Sequence, residues 1–167
     1  MKKIFLAAIV SLLTIKGMAG EKDSFLNIAG GWQWKNTVNA VIGLELETKY
    51  HNAWELYFDL ATAYATCPSC HKVCSKSFFD YKTIGIGVAY KPAMWRGKNS
   101  VVRWRFGADL GANRRGFQAS IDLGLEYSYT FKNRMQFFIM QKNDFVFWTR
   151  DHFRNGLLIG LKFPLSK

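Results

Sequence analysis

The chain has 167 residues and a formal net charge of +11, and 49% of it is apolar, which is enough for one domain with a sizeable core and argues against disorder. Aromatic residues make up 16% of the sequence and glycines number 14 against three prolines, yet no run after residue 15 approaches the ~18 consecutive apolar residues of a membrane helix. This composition excludes helical spans from the body of the chain and points to β-structure.

The first segment reads as an export leader. Lys2 and Lys3 precede an apolar run from Ile4 to Ile15, broken by Ser11 and Thr14, and Gly17-Met18-Ala19 offers small residues for cleavage after Ala19. Residues 1–19 are therefore expected to be a cleaved signal peptide and residues 20–167 one mature domain working outside the cytoplasm. No cysteine follows the apolar run, so a lipoprotein anchor is not indicated. Removing Lys2, Lys3 and Lys16 leaves about +8 on the mature chain, a charge that in an exported protein suits phosphate-rich lipid headgroups better than nucleic acid.

Eight strands are then expected, at roughly 24–34, 37–49, 53–65, 78–91, 101–112, 116–131, 134–147 and 155–165, with turn-like clusters between them. Their parity carries the reading, because successive side chains of a strand point to opposite faces. In the second, Val38, Ala40, Ile42, Leu44 and Leu46 oppose Asn39, Val41, Gly43, Glu45 and Glu47. The fourth carries Lys82 on its otherwise apolar row of Ile84, Ile86, Val88 and Tyr90, near enough to the strand end to reach headgroups. The fifth sets Val102, Trp104, Phe106, Ala108 and Leu110 against Arg103, Arg105, Gly107, Asp109 and Gly111. In the sixth, the row from Phe117 to Phe131 is apolar, while Gln118, Ser120, Asp122, Gly124, Glu126, Ser128 and Thr130 are polar or small. The seventh mixes Phe138, Met140, Lys142 and Asp144 on one row with Gln141 and Asn143 on the other, and a bulge near Gln141 is expected to restore its parity. In the eighth, Leu157, Ile159, Leu161, Phe163 and Leu165 face away from Leu158, Gly160 and Lys162.

Alternation alone also fits a soluble sandwich. Three details favour a barrel in lipid. The apolar rows continue to the strand ends over about 9–11 residues, enough to cross a bilayer at a tilt. The polar rows combine charges of both signs with small residues, as a narrow, filled lumen requires. Aromatic residues gather at both ends: Trp32, Trp34, Phe117, Phe145 and Phe147 at one, Tyr50, Trp54, Tyr90, Tyr127, Tyr129 and Phe163 at the other. A membrane sheet cannot leave an open edge in hydrocarbon, so the fold class expected is all-β, an eight-stranded antiparallel up-and-down transmembrane barrel.

The segment from Arg154 to Leu161 (Arg-Asn-Gly-Leu-Leu-Ile-Gly-Leu) resembles the C-terminal assembly signal of outer-membrane barrels, with a polar residue, a glycine two later and hydrophobics three and five beyond it. It departs from the usual form by continuing to Lys167. Over residues 24–167 the chain resembles the small eight-stranded barrels of the OmpA and OmpX kind in architecture. A fainter likeness is to barrels carried by conjugative elements of Bacteroidetes, of the conjugal transfer protein TraO type. These resemblances imply a bacterial outer-membrane location, with lipid, the outer-membrane assembly machinery and other envelope proteins as partners.

Two constellations bear on chemistry. Cys67-Pro68-Ser69-Cys70-His71, followed by Cys74, contains the attachment pattern of c-type haem and also has the ligand types of a zinc site. A short polar loop offers no pocket for haem, and four ligands within eight residues are crowded for zinc. The expectation is therefore a loop disulfide with no metal and no cofactor. The second constellation is a lumen ion-pair network of Glu45, Glu47, Asp59, Arg103, Arg105, Asp109, Asp122 and Glu126, extended by Glu55, Asp144, Lys49, Lys91, Lys142 and Lys162. Paired carboxylates can do acid–base work, but they also serve as plain ion pairs in a filled lumen. The three histidines, His51, His71 and His152, fall in or near turns with no compelling serine beside them. The function expected is non-enzymatic: envelope structure, or docking of a partner through the loops, with a conjugative apparatus as its narrower form. The alternatives are a lipid-modifying outer-membrane enzyme and a soluble lipocalin-like barrel with apolar residues inside.

Overall fold

The computed structural model describes residues 23–34, 37–48, 50–63, 81–113, 116–148 and 152–165. The expected leader, Lys49 and the cysteine stretch fall outside these residues. Among the described residues there are nine strands: β1 (Asp23–Gln33), β2 (Thr37–Glu47), β3 (Ala53–Ala63), β4 (Tyr81–Lys91), β5 (Ala93–Arg96), β6 (Ser100–Asn113), β7 (Gly116–Thr130), β8 (Gln136–Phe147) and β9 (Phe153–Pro164). Eight of them form the wall. Each pairs antiparallel with its sequence neighbour, β1 pairs with β9, and β4 pairs with β6, closing the sheet on itself. Closure leaves the described wall without a free edge, the condition for strands in hydrocarbon.

The ninth strand corrects the expectation of a plain loop after Lys91. Ala93–Arg96 turns back onto Val101–Arg103 at the base of β6, with a register shift between Ala93 and Trp95. Asp23 and Pro164 lie at the same end of the wall, called here the terminal end. Two turns at that end share one geometry: His51 N–H donates to the Thr48 carbonyl and Arg134 N–H to the Phe131 carbonyl. The turn residues His51 and Arg134 hold φ of 60° and 65°, in the left-handed region.

Faces follow parity around the barrel. Glu45, Arg103, Arg105, Asp122 and Glu126 are fully buried inside, while Ile42, Leu44, Trp104, Phe106, Ile121 and Leu123 stand exposed outside. A lipocalin-like arrangement would need the reverse. The seventh expected strand is the exception to the sequence reading. Strand β8 pairs with both neighbours without a register shift, so no bulge occurs near Gln141. Phe138, Met140, Lys142 and Asp144 all enter the lumen, and Gln141 and Asn143 face outward. Phe138 and Met140 join Ala29, Val41, Tyr57, Ala89 and Leu158 in an apolar cluster inside the barrel. A narrow lumen is built from volume as well as charge, so apolar residues belong there too.

Glycines give the large lumen residues their room. A Cβ on Gly160 would come 2.7 Å from the Phe138 ring, and one on Gly87 2.5 Å from the Tyr57 ring. One on Gly107 would collide with the Asp122 carboxylate.

Candidate functional site

The lumen gathers the ionisable residues into two groups along the axis. Nearer the terminal end, Lys91 from β4 and Lys162 from β9 reach between Glu45 of β2 and Glu126 of β7. The Lys91 ammonium donates to Glu45 at 2.6 Å and to Glu126 at 2.6 Å. The Lys162 ammonium donates to the same two carboxylates at 2.6 and 2.5 Å. Each carboxylate thus uses both oxygens and each cation spans the bore, giving a ring of alternating charge. All four side chains are fully buried.

Two arginines extend the ring. Arg103 lies 2.8 Å from Glu47 and 3.3 Å from Glu126, donates to the Ser128 hydroxyl at 3.2 Å, and donates through Nε to the His51 carbonyl at 2.8 Å. Arg105 donates through Nε to Asp122 at 2.8 Å, pairs with Glu55, and lies over the Tyr57 ring at 4.5 Å. The Tyr57 hydroxyl donates to Asp122, and Asn27 donates to Glu45 and Glu55 at 3.0 and 2.8 Å.

Towards the other end, Lys142 pairs with Asp59 and lies 3.0 Å from Asp144. Asp109 accepts from Ser120, Asp59 from Asn39, and Asp144 from Gln33 at 2.8 Å. Among the described residues the buried set holds eight carboxylates and five cations, so the amide and hydroxyl donors supply the hydrogen bonds that cations do not.

Apart from Lys49, which lies outside the described residues, the members of the network expected from sequence are buried in the lumen, and the structure divides them. Glu45, Glu47, Arg103, Arg105, Asp122 and Glu126 meet at the terminal-end group, with Glu55, Lys91 and Lys162. Asp59 and Asp109 belong to the other group, with Lys142 and Asp144. Tyr57, Asn27, Gln33 and Asn39 are further participants. Tyr57 shares parity with Glu55 and Asp59, which is the sequence signal for its place.

The histidines sit apart from this network's centre. His51, about half exposed, contacts Glu47 through Nδ1. His152 is exposed, with Nδ1 3.4 Å from the Val146 carbonyl. Cys67, Cys70, His71 and Cys74 lie outside the described residues.

The outer wall complements the charged interior. Aromatic residues ring the barrel: Phe117 and Phe147 both contact Trp148 at the end away from the termini, and Trp54 meets Tyr90, with ring centroids 4.8 Å apart, at the terminal end. The belt between them is aliphatic and aromatic over most of its circumference, a surface suited to lipid.

No protein-family model matches the chain, and no curated protein matches it by sequence. Solved structures do. A major outer membrane protein from Thermus thermophilus is similar with a TM-score of 0.63 at 8% identity, over 87% of this chain and 100% of that one. A structure from the de novo design of transmembrane β-barrels has a TM-score of 0.51 at 11% identity, over 89% of this chain and 100% of the design. The designed barrel TMB2.3 has a TM-score of 0.55 at 11% identity, over 90% and 99% of the two chains. These are likenesses of fold, and the chain is a closed eight-stranded antiparallel barrel of the kind that crosses membranes.

Proposed function

We propose that this chain is an outer-membrane barrel with a sealed lumen, a non-enzymatic envelope protein that supports the membrane or docks a partner through its loops. The observation that carries the reading is the ring of Glu45, Lys91, Glu126 and Lys162. These four side chains are fully buried and cross-linked across the bore, with Arg103 and Arg105 against them. An aqueous pore would leave such groups hydrated. A filled eight-stranded bore holds side chains in place of water. Export would run through a leader cleaved after Ala19, and the terminal end would face the periplasm, as the termini of bacterial barrels do.

Fractionation and conductance test this together. Mature protein is expected in the outer-membrane fraction, with a folded band on unheated gels that shifts on boiling. In planar bilayers it should open no steady channel. Stable single-channel steps would refute the sealed lumen, recovery in the soluble periplasmic fraction would refute the membrane reading, and phospholipid hydrolysis by pure protein would support the enzyme alternative. A place in a conjugative apparatus is the narrower form of the docking role, and gene neighbourhood tests it.

A further inference from the structure

One sector of the outer wall breaks the apolar rule. The outward row of β8 runs Phe137, Ile139, Gln141, Asn143, Phe145 and Phe147, so two amides stand between apolar residues on both sides. Asn143 is paired directly with Asn155 of β9, whose side chain is also outward and partly exposed. On the other side, Asn143 is paired with Leu123, the middle residue of β7. The three amides therefore form one patch on the belt that the rest of the wall reserves for hydrocarbon.

Their hydrogen bonds are only partly used within the chain. Asn143 Oδ1 accepts from Gln141 Nε2 at 2.8 Å and also from Asn155 Nδ2. Asn143 Nδ2 donates to the Leu123 carbonyl at 3.0 Å. Asn143 is thus the hub. The side-chain carbonyls of Gln141 and Asn155 accept no hydrogen bond among the described residues, and each of these amides keeps a free N–H. Water would satisfy them; lipid tails offer neither donor nor acceptor, and an unpaired amide in an apolar medium is costly.

We propose that the Gln141–Asn143–Asn155 patch is the contact face of a symmetric dimer of this chain within the membrane, a proposal that rests on the membrane-spanning reading above. What remains open on the patch is self-complementary. A second copy related by a two-fold axis beside Asn143 presents the same open donors and acceptors, so the amides of each copy can be met by those of the other. Such an isologous interface closes at two copies. Amide pairing between membrane segments is a known source of association. Any other occupant would have to supply matching donors and acceptors at the same depth, whereas a second copy carries them by construction. Leu123, Leu125, Leu157 and the contacting rings of Phe145 and Phe153, 5.1 Å apart, provide an apolar rim. The wall directly opposite, on β3, presents Trp54, Phe58 and Leu60 and no such patch, which leaves the association one-sided.

The test uses the full chain with Cys67, Cys70 and Cys74 replaced by serine, folded into phosphatidylcholine vesicles at high lipid excess. A single cysteine is placed beside the patch by Leu157→Cys, or on the opposite wall by Phe58→Cys. On mild oxidation, the first should cross-link to a dimer at least tenfold more than the second. Adding Gln141→Leu, Asn143→Leu and Asn155→Leu should abolish that excess while the heat-shifting folded band persists, because these changes only make the lipid face more apolar. Sedimentation of the unmodified chain in detergent should show a dimer that the three leucines convert to monomer. Equal cross-linking from both walls, a dimer indifferent to the leucines, or a monomer throughout would overturn the dimer and leave the membrane reading standing. Failure of every variant to insert would instead overturn the membrane reading, and the dimer with it.

Discussion

Glu126 is fully buried and touches Lys91, Lys162, Arg103 and the Ser128 hydroxyl, so its single charge is shared among three cations. Removing one side of a buried pair leaves the other charge uncompensated, a loss of about 3–5 kcal/mol. Glu126→Gln should therefore lower the unfolding free energy in bilayers by about that amount in urea titrations. Adding Lys162→Met should recover part of it, because the ring then loses one charge of each sign. If the double variant were as unstable as the sum of the two single ones, the ring would not be a coupled unit. Gly107 has a different role, as space for the Asp122 carboxylate that Arg105 and Tyr57 hold. Gly107→Ala should push that carboxylate aside and cost about 1–3 kcal/mol in the same titration. Which residue types fill the lumen is legible in the sequence, because parity collects them on one row. Which of them meet is not. Glu45 and Lys162 are separated by 117 positions and meet over β1, which pairs with both of their strands, an encounter set by closure and not by any local pattern.

Along a strand, the cost of a new charge should depend on face. Leu123 is outward and Ser120 is buried beside Asp109, although both lie on β7 and only three positions separate them. Leu123→Arg should cost about 2–4 kcal/mol, as a cation in hydrocarbon does. Ser120→Arg enters a region where Asp59 and Asp144 share Lys142 and Asp109 accepts from Ser120 itself, so a second cation has acceptors even though it is crowded. Folding yields into vesicles should thus fall further for Leu123→Arg, and equal yields would mean that the faces are wrongly assigned. Strands β2, β6 and β7 are legible from alternation because one row meets lipid and the other meets charge. Strand β8 is not, because its lumen row carries Phe138 and Met140 while its outer row carries Gln141 and Asn143. Hydrophobicity reports the medium on each side only while the lumen is polar. Where the lumen is filled by bulk, the two rows look alike, and a bulge is the wrong remedy. Strand β5 escapes sequence reading for a related reason: four residues pairing with the foot of β6 give too short a pattern to show a period.

The whole molecule has a direction, and its loops inherit it. An even number of wall strands returns the chain to the end where it began, so Asp23 and Pro164 leave the barrel together. Ala63 and Tyr81, paired at the ends of β3 and β4, leave it at the opposite end. A barrel inserted from the periplasm keeps its termini there, so the chain between Ala63 and Tyr81, with Cys67, Cys70 and Cys74, should emerge at the cell surface. An impermeant maleimide added to intact cells after mild reduction should then label these cysteines. The matched control removes all three by substitution with serine and adds Asn133→Cys in the turn between Phe131 and Met135, at the terminal end. That single thiol should react only after lysis. The triple serine variant should also fold and insert almost as well as the parent, because a disulfide within so short a loop would add little to a wall held by closed strand pairing and lipid burial. Purified parent protein should be colourless and hold far less than one zinc per chain. Labelling of Asn133→Cys in intact cells, with the native cysteines silent until lysis, would place the barrel the other way up. It would also turn the basic turns at Lys98 and Lys132 outward, where the cell's environment, and not the periplasm, would meet them first.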